Sequence, residues 1–193
     1  MKIYILRHED RTIDCSFFAP LTLKGLQNSQ KLIPILKDCN INLIFSSPFI
    51  RTLQTIYPYV KTNKFKINVE YGLSELHHQD IIPKNAVGVN LPEYIAELFN
   101  YDSKYKSIIN SQDIKYPESM SESAQRTIKF IRELIEKYYT TDFNIVLVSH
   151  QAICINILKL VNKKYKNINT DSYEKGKLCL IFNKNDWDYQ KIN

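Results

Sequence analysis

The sequence has few cysteines, and none of them forms a metal or redox motif. Its 193 residues include four cysteines, at positions 15, 39, 154 and 179, and no two of them have Cys-x-x-Cys spacing. That spacing is typical of structural zinc sites and of dithiol redox centres. In a chain of this size without a secretory signal, scattered cysteines are usually buried free thiols. We therefore expect neither a disulfide framework nor structural zinc.

Long hydrophobic runs are also absent. No uninterrupted apolar segment is long enough to cross a bilayer, and the first residues lack the charged, apolar and small-residue regions of a signal peptide. The sequence therefore predicts a protein that does not interact with a membrane, and we expect a cytoplasmic location.

The chain has no block of basic residues, although its formal net charge is +6. Its lysines are spread along the sequence without a nucleic-acid motif, so we expect no nucleic-acid partner and only a mild attraction for anionic substrates. Internal repeats and coiled-coil heptads are missing as well. Length and composition favour one domain, residues 1–193, and leave the oligomeric state open.

The sequence does contain apolar runs that end in reactive side chains. The run 3–6 is followed by Arg7 and His8, and the run 146–148 is followed closely by His150. In open α/β sheets, ligands bind beyond the carboxyl ends of parallel strands. We therefore expect both histidines at one edge of a sheet.

A third run, residues 41–45, leads into a predicted helix with Ser47 as its N-cap and Pro48 at its first position. Arg51 then lies one turn into that helix, near the same edge. Two arginines and two histidines are costly to bring together without an anion, because like charges repel. The pattern therefore predicts a site for an oxyanion.

Hydrophobic periodicity predicts a continuing alternation of strands and helices. It indicates a helix from Thr22, a strand at 66–71, a helix at 121–139, a strand at 143–148, a helix at 152–161 and a strand at 177–182. Such alternation favours an α/β fold, a three-layer α/β/α sandwich with a mostly parallel central sheet. Ser119-x-x-Glu122 predicts a capping box for the helix at 121–139. The predicted buried face of that helix consists of Ala124, Ile128, Ile131, Ile135 and Tyr138.

Periodicity weakens in residues 76–117, where three prolines interrupt the pattern and only a short helix at 92–100 is predicted. Insertions of this length in a compact domain are usually functional. Because this one follows Glu75 directly, we expect it to form a lid over the carboxyl edge of the sheet. His77 and His78 lack a spaced carboxylate or cysteine and are expected to be exposed loop residues rather than metal ligands.

If these side chains converge, phosphoryl transfer is the simplest chemistry for them. Arg7 and Arg51 can grip phosphate oxygens in pairs, and a neutral His8 can attack phosphorus. His150 would stabilise charge on the transferring group, and Glu75 could protonate the leaving alkoxide if burial raises its pKa. The cationic side chains take the place of Mg²⁺, so we expect no metal and no cofactor.

Together these segments resemble the signature motifs of the histidine phosphatase superfamily, which has the phosphoglycerate mutase-like fold. The matching segments are Leu6-Arg7-His8, Leu21-Thr22-Leu23-Lys24-Gly25, Ser46 to Thr55, Glu118-Ser119 and Leu147-Val148-Ser149-His150. The resemblance implies a phosphohistidine intermediate on His8 and proton donation by Glu75. The phosphate ligands that it implies are Arg7, Arg51, His150 and the backbone amide of Gln151.

Three features depart from the family pattern. Glu9 stands where the family usually has glycine, so its side chain must turn away from the anion. Asp14 stands where asparagine is common, and Arg11 in the same loop could compensate by touching the phosphate. Only a dozen residues separate His8 from Leu21, a shorter stretch than in the mutases, which favours hydrolysis over mutase chemistry.

Three functions stay open at this point. The first is a metal-independent phosphatase that hydrolyses a phosphorylated small molecule or a phosphoprotein. Glu9 and Asp14 motivate the second, a catalytically weak or inactive relative that binds a phosphorylated partner. The third is a phosphoglycerate-type mutase. The complete set of expected phosphate ligands favours the phosphatase.

Overall fold

A computed structural model describes residues 1–14, 16–79, 82, 90–161, 173–183 and 190–193. Its strands are β1 (Lys2–Arg7), β2 (Leu43–Ser46), β3 (Ile67–Val69), β4 (Asn144–Ser149), β5 (Leu178–Asn183) and β6 (Gln190–Lys191). They form one sheet in the order β3-β2-β4-β1-β5-β6. The pairs between β1, β2, β3 and β4 are parallel, whereas β5 and β6 are added in antiparallel pairing.

Helices cover both faces of this sheet. They are α1 (Leu23–Asp38), α2 (Ile50–Asn63), α3 (Glu93–Ala96), α4 (Met120–Tyr138) and α5 (Gln151–Val161). Alternate residues of β1 face opposite sides, so Ile3 and Ile5 join a core with α4 and α5, while Tyr4 and Leu6 join a core with α1 and α2. The predicted three-layer sandwich with a mostly parallel sheet is confirmed.

The helix starts agree with the sequence in two cases and differ in a third. Thr22 caps α1 by accepting a hydrogen bond from the Gly25 amide, and Ser119 and Glu122 form the predicted capping box of α4. The predicted start of α2 is wrong, because this helix begins at Ile50 after Phe49.

The buried face of α4 also differs from the prediction. Its buried residues are Ser123, Arg126, Thr127, Phe130, Ile131 and Leu134, of which Ile131 was predicted. The predicted Ile135 and Tyr138 are partly buried and pack against the same core. The inner face also carries polar residues that have partners there, since Arg126 and Thr127 donate to the Gly72 carbonyl, at 3.1 Å and 3.3 Å. The buried face of α4 therefore combines apolar packing with hydrogen bonds to another segment.

Part of the insertion at 76–117 is attached to β3. The Ile67 amide donates to the Asn100 carbonyl at 3.1 Å, and the Asp102 amide donates back to Ile67 at 2.8 Å. The predicted helix at 92–100 is α3 followed by a 3-10 turn at Glu97–Phe99. Residues 80, 81 and 83–89 lie outside the described residues, and the lid stays a prediction.

Two further expectations concern burial. Cys39, Cys154 and Cys179 are buried free thiols, as predicted, while position 15 lies outside the described residues. His77 is 4% exposed, so its prediction as an exposed loop residue is wrong. Within the described ranges, no helix has the length and apolarity needed to span a membrane.

Candidate active site

The carboxyl ends of β1 and β4 bring the two predicted histidines together. Arg7 pairs with Ser149 at the end of the parallel ladder, and the His8 amide donates to the Ser149 carbonyl at 3.0 Å. The residue that follows β4 is His150, whose ring centroid lies 5.3 Å from that of His8. Register alone therefore places the two imidazoles side by side.

Arg51 and Glu75 complete this cluster from two other elements. The Glu75 Oε2 atom lies 3.5 Å from His150 Nδ1 and 3.9 Å from Arg51 Nη2. Arg51 is 1% exposed, its guanidinium stacks 4.5 Å from the Phe49 ring centroid, and its Nη1 atom donates to the Ser16 carbonyl. The arginine is thus held rigidly, which suits a group that grips an anion.

The backbone fixes the tautomer of His8. Its Nδ1 atom lies 2.7 Å from the Glu9 carbonyl oxygen. Because a carbonyl only accepts, Nδ1 carries the proton and Nε2 keeps its lone pair. Burial, followed by the nearby Arg51 charge, lowers the pKa of His8 well below its ordinary value. The resting His8 is therefore a neutral imidazole with a free nucleophilic nitrogen.

His150 is held by Ser47, which was predicted to be the N-cap of the helix that carries Arg51. The Ser47 hydroxyl lies 2.8 Å from His150 Nε2, so Ser47 orients this ring and is not a helix cap. Burial, then the charge of Arg51, lowers the pKa of His150. Its Nδ1 atom has no hydrogen-bond partner among the described residues. A bound phosphate dianion would favour protonation of this ring.

Two effects act in opposite directions on the pKa of the buried Glu75 carboxyl group. Burial raises the pKa of Glu75, and Arg51 acts in the opposite direction. The Leu76 amide donates to Oε1 at 3.1 Å. A carboxyl group whose pKa is raised by burial retains its proton to higher pH, which suits a proton donor.

A buried ion pair fixes the segment that carries Glu75. Arg126 donates to the carbonyls of Ser74 at 3.0 Å and Glu75 at 2.9 Å, and pairs with Glu118 at 2.6 Å. The Glu118 carboxylate also accepts from the His77 amide at 3.1 Å. Arg126 was not predicted as a site residue. Because it lies outside the face of α4 that was predicted to be buried, the periodicity contained no signal for it.

An open cavity of about 360 Å³ gives access to the cluster. The predicted site residues that line it are Arg7, His8, Arg11, Glu75 and Gln151. Gln151 is the first residue of α5, so the helix begins at this cavity, and backbone amides at a helix start favour anions. Arg7 donates through Nη1 to the Tyr173 carbonyl. The cavity thus has the positive lining that an oxyanion needs.

The loop after His8 accommodates its unusual residues. The Glu9 carboxylate accepts a hydrogen bond from Asn28 at 3.3 Å, and a Cβ atom on Gly176 would lie 1.9 Å from its Oε1 atom. Glu9 therefore points toward these two residues and does not line the cavity. Asp14 accepts hydrogen bonds from the amide and hydroxyl of Ser16. Arg11 lines the cavity and donates to backbone carbonyls of its own loop.

No cluster of three or more histidine, cysteine or acidic residues suited to a metal ion occurs in the described part of the chain. The family model of the histidine phosphatase superfamily (branch 1) matches residues 11–192. The chain belongs to the histidine phosphatase superfamily. The expected family is therefore confirmed.

Two curated relatives of this superfamily member are larger proteins. Ubiquitin-associated and SH3 domain-containing protein B of Mus musculus is 27% identical over 146 residues, which cover 69% of this chain and 22% of that protein. The Homo sapiens protein of the same name matches over the same shares. The chain spans about a fifth of the length of these relatives.

Three solved structures share the fold of this superfamily member. Ecdysone phosphate phosphatase from Bombix mori, in complex with tungstate, has a TM-score of 0.72 at 17% identity and covers 98% of this chain and 91% of its own. The mycobacterial glucosyl-3-phosphoglycerate phosphatase with inorganic phosphate has a TM-score of 0.66 at 17% identity, over 98% and 94%. Alpha-ribazole phosphatase from Shigella flexneri has a TM-score of 0.62 at 19% identity, over 94% and 90%.

Proposed function

We propose that this chain is a metal-independent phosphatase that hydrolyses phosphomonoesters through a phosphohistidine intermediate on His8. One observation carries the proposal. His8, a neutral imidazole with a free Nε2 atom, lies 5.3 Å in ring centroid distance from His150, and Arg51 and Glu75 surround that second ring. We assign His8 as the nucleophile, Arg51 and His150 as the residues that stabilise charge, and Glu75 as the proton donor, all around one phosphoryl position.

In the first step, His8 Nε2 attacks phosphorus and the bond from phosphorus to the ester oxygen breaks. Arg7, Arg51 and a protonated His150 hold the phosphoryl oxygens, which supplies the charge that Mg²⁺ supplies in other phosphoryl transfer enzymes. Glu75 gives its proton to the leaving alkoxide, so the alcohol departs neutral.

In the second step, the Glu75 carboxylate takes a proton from a water molecule that attacks phosphorus. The bond between phosphorus and Nε2 breaks, inorganic phosphate leaves, and His8 and Glu75 return to their starting states. Substrate and water are therefore the only reactants consumed.

Hydrolysis is favoured over the two alternatives. Glu9 and Asp14 motivated an inactive phosphate-binding protein, but hydrogen bonds from Asn28 and Ser16 occupy their carboxylates. The structural relatives named above are all phosphatases, which supports hydrolysis over a mutase reaction. Product analysis with a phosphoglycerate separates the last two, because a mutase returns an isomer and a phosphatase returns inorganic phosphate.

The first prediction tests His8 directly. Phosphate release from 4-nitrophenyl phosphate is measured in excess EDTA for the wild type and for His8→Ala. We expect metal-independent turnover by the wild type and a loss of about a thousandfold or more in His8→Ala, because the nucleophile is removed. Quenched wild type should contain an acid-labile, alkali-stable phosphoryl group that His8→Ala lacks.

Circular dichroism of both proteins provides the control for folding. Turnover that persists in a folded His8→Ala protein would exclude His8 as nucleophile. A folded wild type that binds tungstate without turning over any ester would instead establish the inactive binding protein.

A further inference from the structure

The cavity of the active site continues beyond the phosphate ligands along α5. Its remaining wall is formed by Leu76, Met120, Ala152, Ile155, Asn156 and Lys159. The first four present mainly apolar surface directly beyond the charged end. Asn156 and Lys159 contribute the polar groups at the other end.

The α5 residues share one helix face. Positions 151, 152, 155, 156 and 159 are spaced so that they follow each other along one side of the helix. With a rise of about 1.5 Å per residue, Asn156 lies about 7.5 Å and Lys159 about 12 Å along the axis from Gln151. Helical side chains lean toward the N-terminus, so Lys159 reaches back over the cavity.

Asn156 has a buried donor without an acceptor. Its Nδ2 atom is shielded from solvent and has no hydrogen-bond partner among the described residues. More than about nine in ten buried polar groups in native proteins are paired, so an unpaired donor that lines a ligand cavity indicates an acceptor on the ligand. The apolar neighbours Ala152 and Ile155 offer none through their side chains.

The cavity has positively charged side chains at both of its ends. Arg7 and Arg11 lie at the phosphate end with Glu75, which is the single acidic residue among the described residues of the lining. Lys159 lies at the far end, and no described acidic residue pairs with it. At about 360 Å³, the cavity also falls at the small end of the range for ligand sites. These features favour a small ligand with an acidic group at each end.

Resting on the function proposed above, we infer that the substrate is a small phosphate monoester with an apolar body and a second acidic group. The phosphate binds at His8, the apolar body packs on Leu76 and Ile155, and the second acidic group binds Asn156 and Lys159. The latter two residues determine specificity and take no part in the chemistry.

The test compares two substrates that differ by one group, phenyl phosphate and 4-carboxyphenyl phosphate. The readout is the ratio of their kcat/KM values, in the wild type, Lys159→Met and Asn156→Leu. We expect the wild type to prefer the carboxylated ester, and each variant to lower that preference roughly threefold to tenfold, as expected for one charged or hydrogen-bonded contact. Lys61→Met, which removes a last-turn lysine of α2 instead, should keep the wild-type ratio.

Failure of the second subsite and failure of the proposed phosphatase activity give different results. If both esters are hydrolysed through His8 but the ratio is near one and unchanged by Lys159→Met and Asn156→Leu, the second subsite is excluded and the proposed phosphatase stands. If neither ester is hydrolysed, the proposed phosphatase fails, and calorimetric binding of the two esters to the same variants decides the subsite. Equal affinities in all of them would then overturn it.

Discussion

Glu75 experiences two opposing effects, since burial favours its neutral form and Arg51 favours its carboxylate. The proposed reaction needs the neutral form first, to protonate the leaving group. A good leaving group departs without that proton, whereas a poor one does not. The role of Glu75 is therefore visible in how the rate depends on the leaving group.

We predict that Glu75→Gln lowers turnover of an alkyl phosphate by about a hundredfold to ten thousandfold, and that of 4-nitrophenyl phosphate much less. Steady-state kinetics on both esters provides the measurement. Equal losses on both esters would contradict proton donation by Glu75.

The pH dependence of the wild type follows from the same groups. His8 must be neutral, and its lowered pKa means that activity is lost only at pH well below its ordinary value of 6.5. Glu75 must be protonated, so kcat/KM falls as pH rises through its pKa, which lies above the ordinary 4.5. We predict a bell-shaped profile with its maximum on the acidic side, and an alkaline limb that is absent in Glu75→Gln. A profile that rises toward alkaline pH would contradict this assignment.

At the scale of residues, the sequence predicts the site residues that directly follow a strand. It does not predict the roles of residues whose partners are distant in sequence. Arg7 and His8 follow an apolar run directly, so their position can be read from the chain. Ser47 was misassigned because a helix cap is a local explanation, whereas its partner His150 is 103 residues away. His77 was misassigned for the same reason, since its burial depends on contacts with Phe49 and Glu118.

At the scale of elements, α4 connects the helix layer to the catalytic segment. Its start is capped as predicted, but its inner face carries Arg126, which holds the backbone at Ser74 and Glu75. Amphipathic periodicity indicates that a helix exists and not which polar residue it buries. That choice depends on Glu118, which neutralises the arginine.

We predict that Glu118→Gln lowers the free energy of unfolding by about 3 kcal/mol or more, because it leaves the Arg126 charge buried without a counterion. It should also lower kcat, since the segment that carries Glu75 loses its anchor. Urea denaturation and steady-state kinetics measure the two effects. Glu122→Gln, four residues further along the chain, changes a carboxylate that is 35% exposed and pairs with the exposed Lys115, so it should cost less stability and keep kcat. Equal effects of both substitutions would contradict the anchoring role.

At the scale of the whole molecule, three of the four histidines are buried in the neutral form. Burial lowers the pKa of His8 and His150, and lowers that of His77 from 6.5 to about 3. Each of these histidines binds a proton more readily in the unfolded chain. The stability that they contribute is therefore present above pH 6.5 and is lost as pH falls below it.

We predict that lowering the pH from 6.5 to 5.5 reduces the free energy of unfolding by about 1 kcal/mol for His77 alone. In His77→Gln this decrease should be smaller by that amount, as measured by urea denaturation at both pH values. The comparison of variants isolates the histidine, because Glu9 and Glu75, whose pKa values are raised by burial, act with the opposite sign. The same pH dependence in both proteins would show that His77 is not buried neutral.

The architecture could be predicted from alternating strands and helices, since parallel strands need helical crossovers. The order of strands could not, because pairing depends on which apolar faces meet in three dimensions. The antiparallel β5 next to β1 is an example, as nothing in residues 177–182 specifies its neighbour.

The turn that leads into β5 also supports the phosphate-binding residues at the end of β1. The Gly176 amide donates to the carbonyls of Arg7 and His8, and Arg7 in turn donates to Tyr173. Two segments that are far apart in sequence, residues 7–8 and 173–176, are thus held together by hydrogen bonds beside the phosphate site. A chain cut before Tyr173 would lack these hydrogen bonds, and we expect it to bind phosphate more weakly.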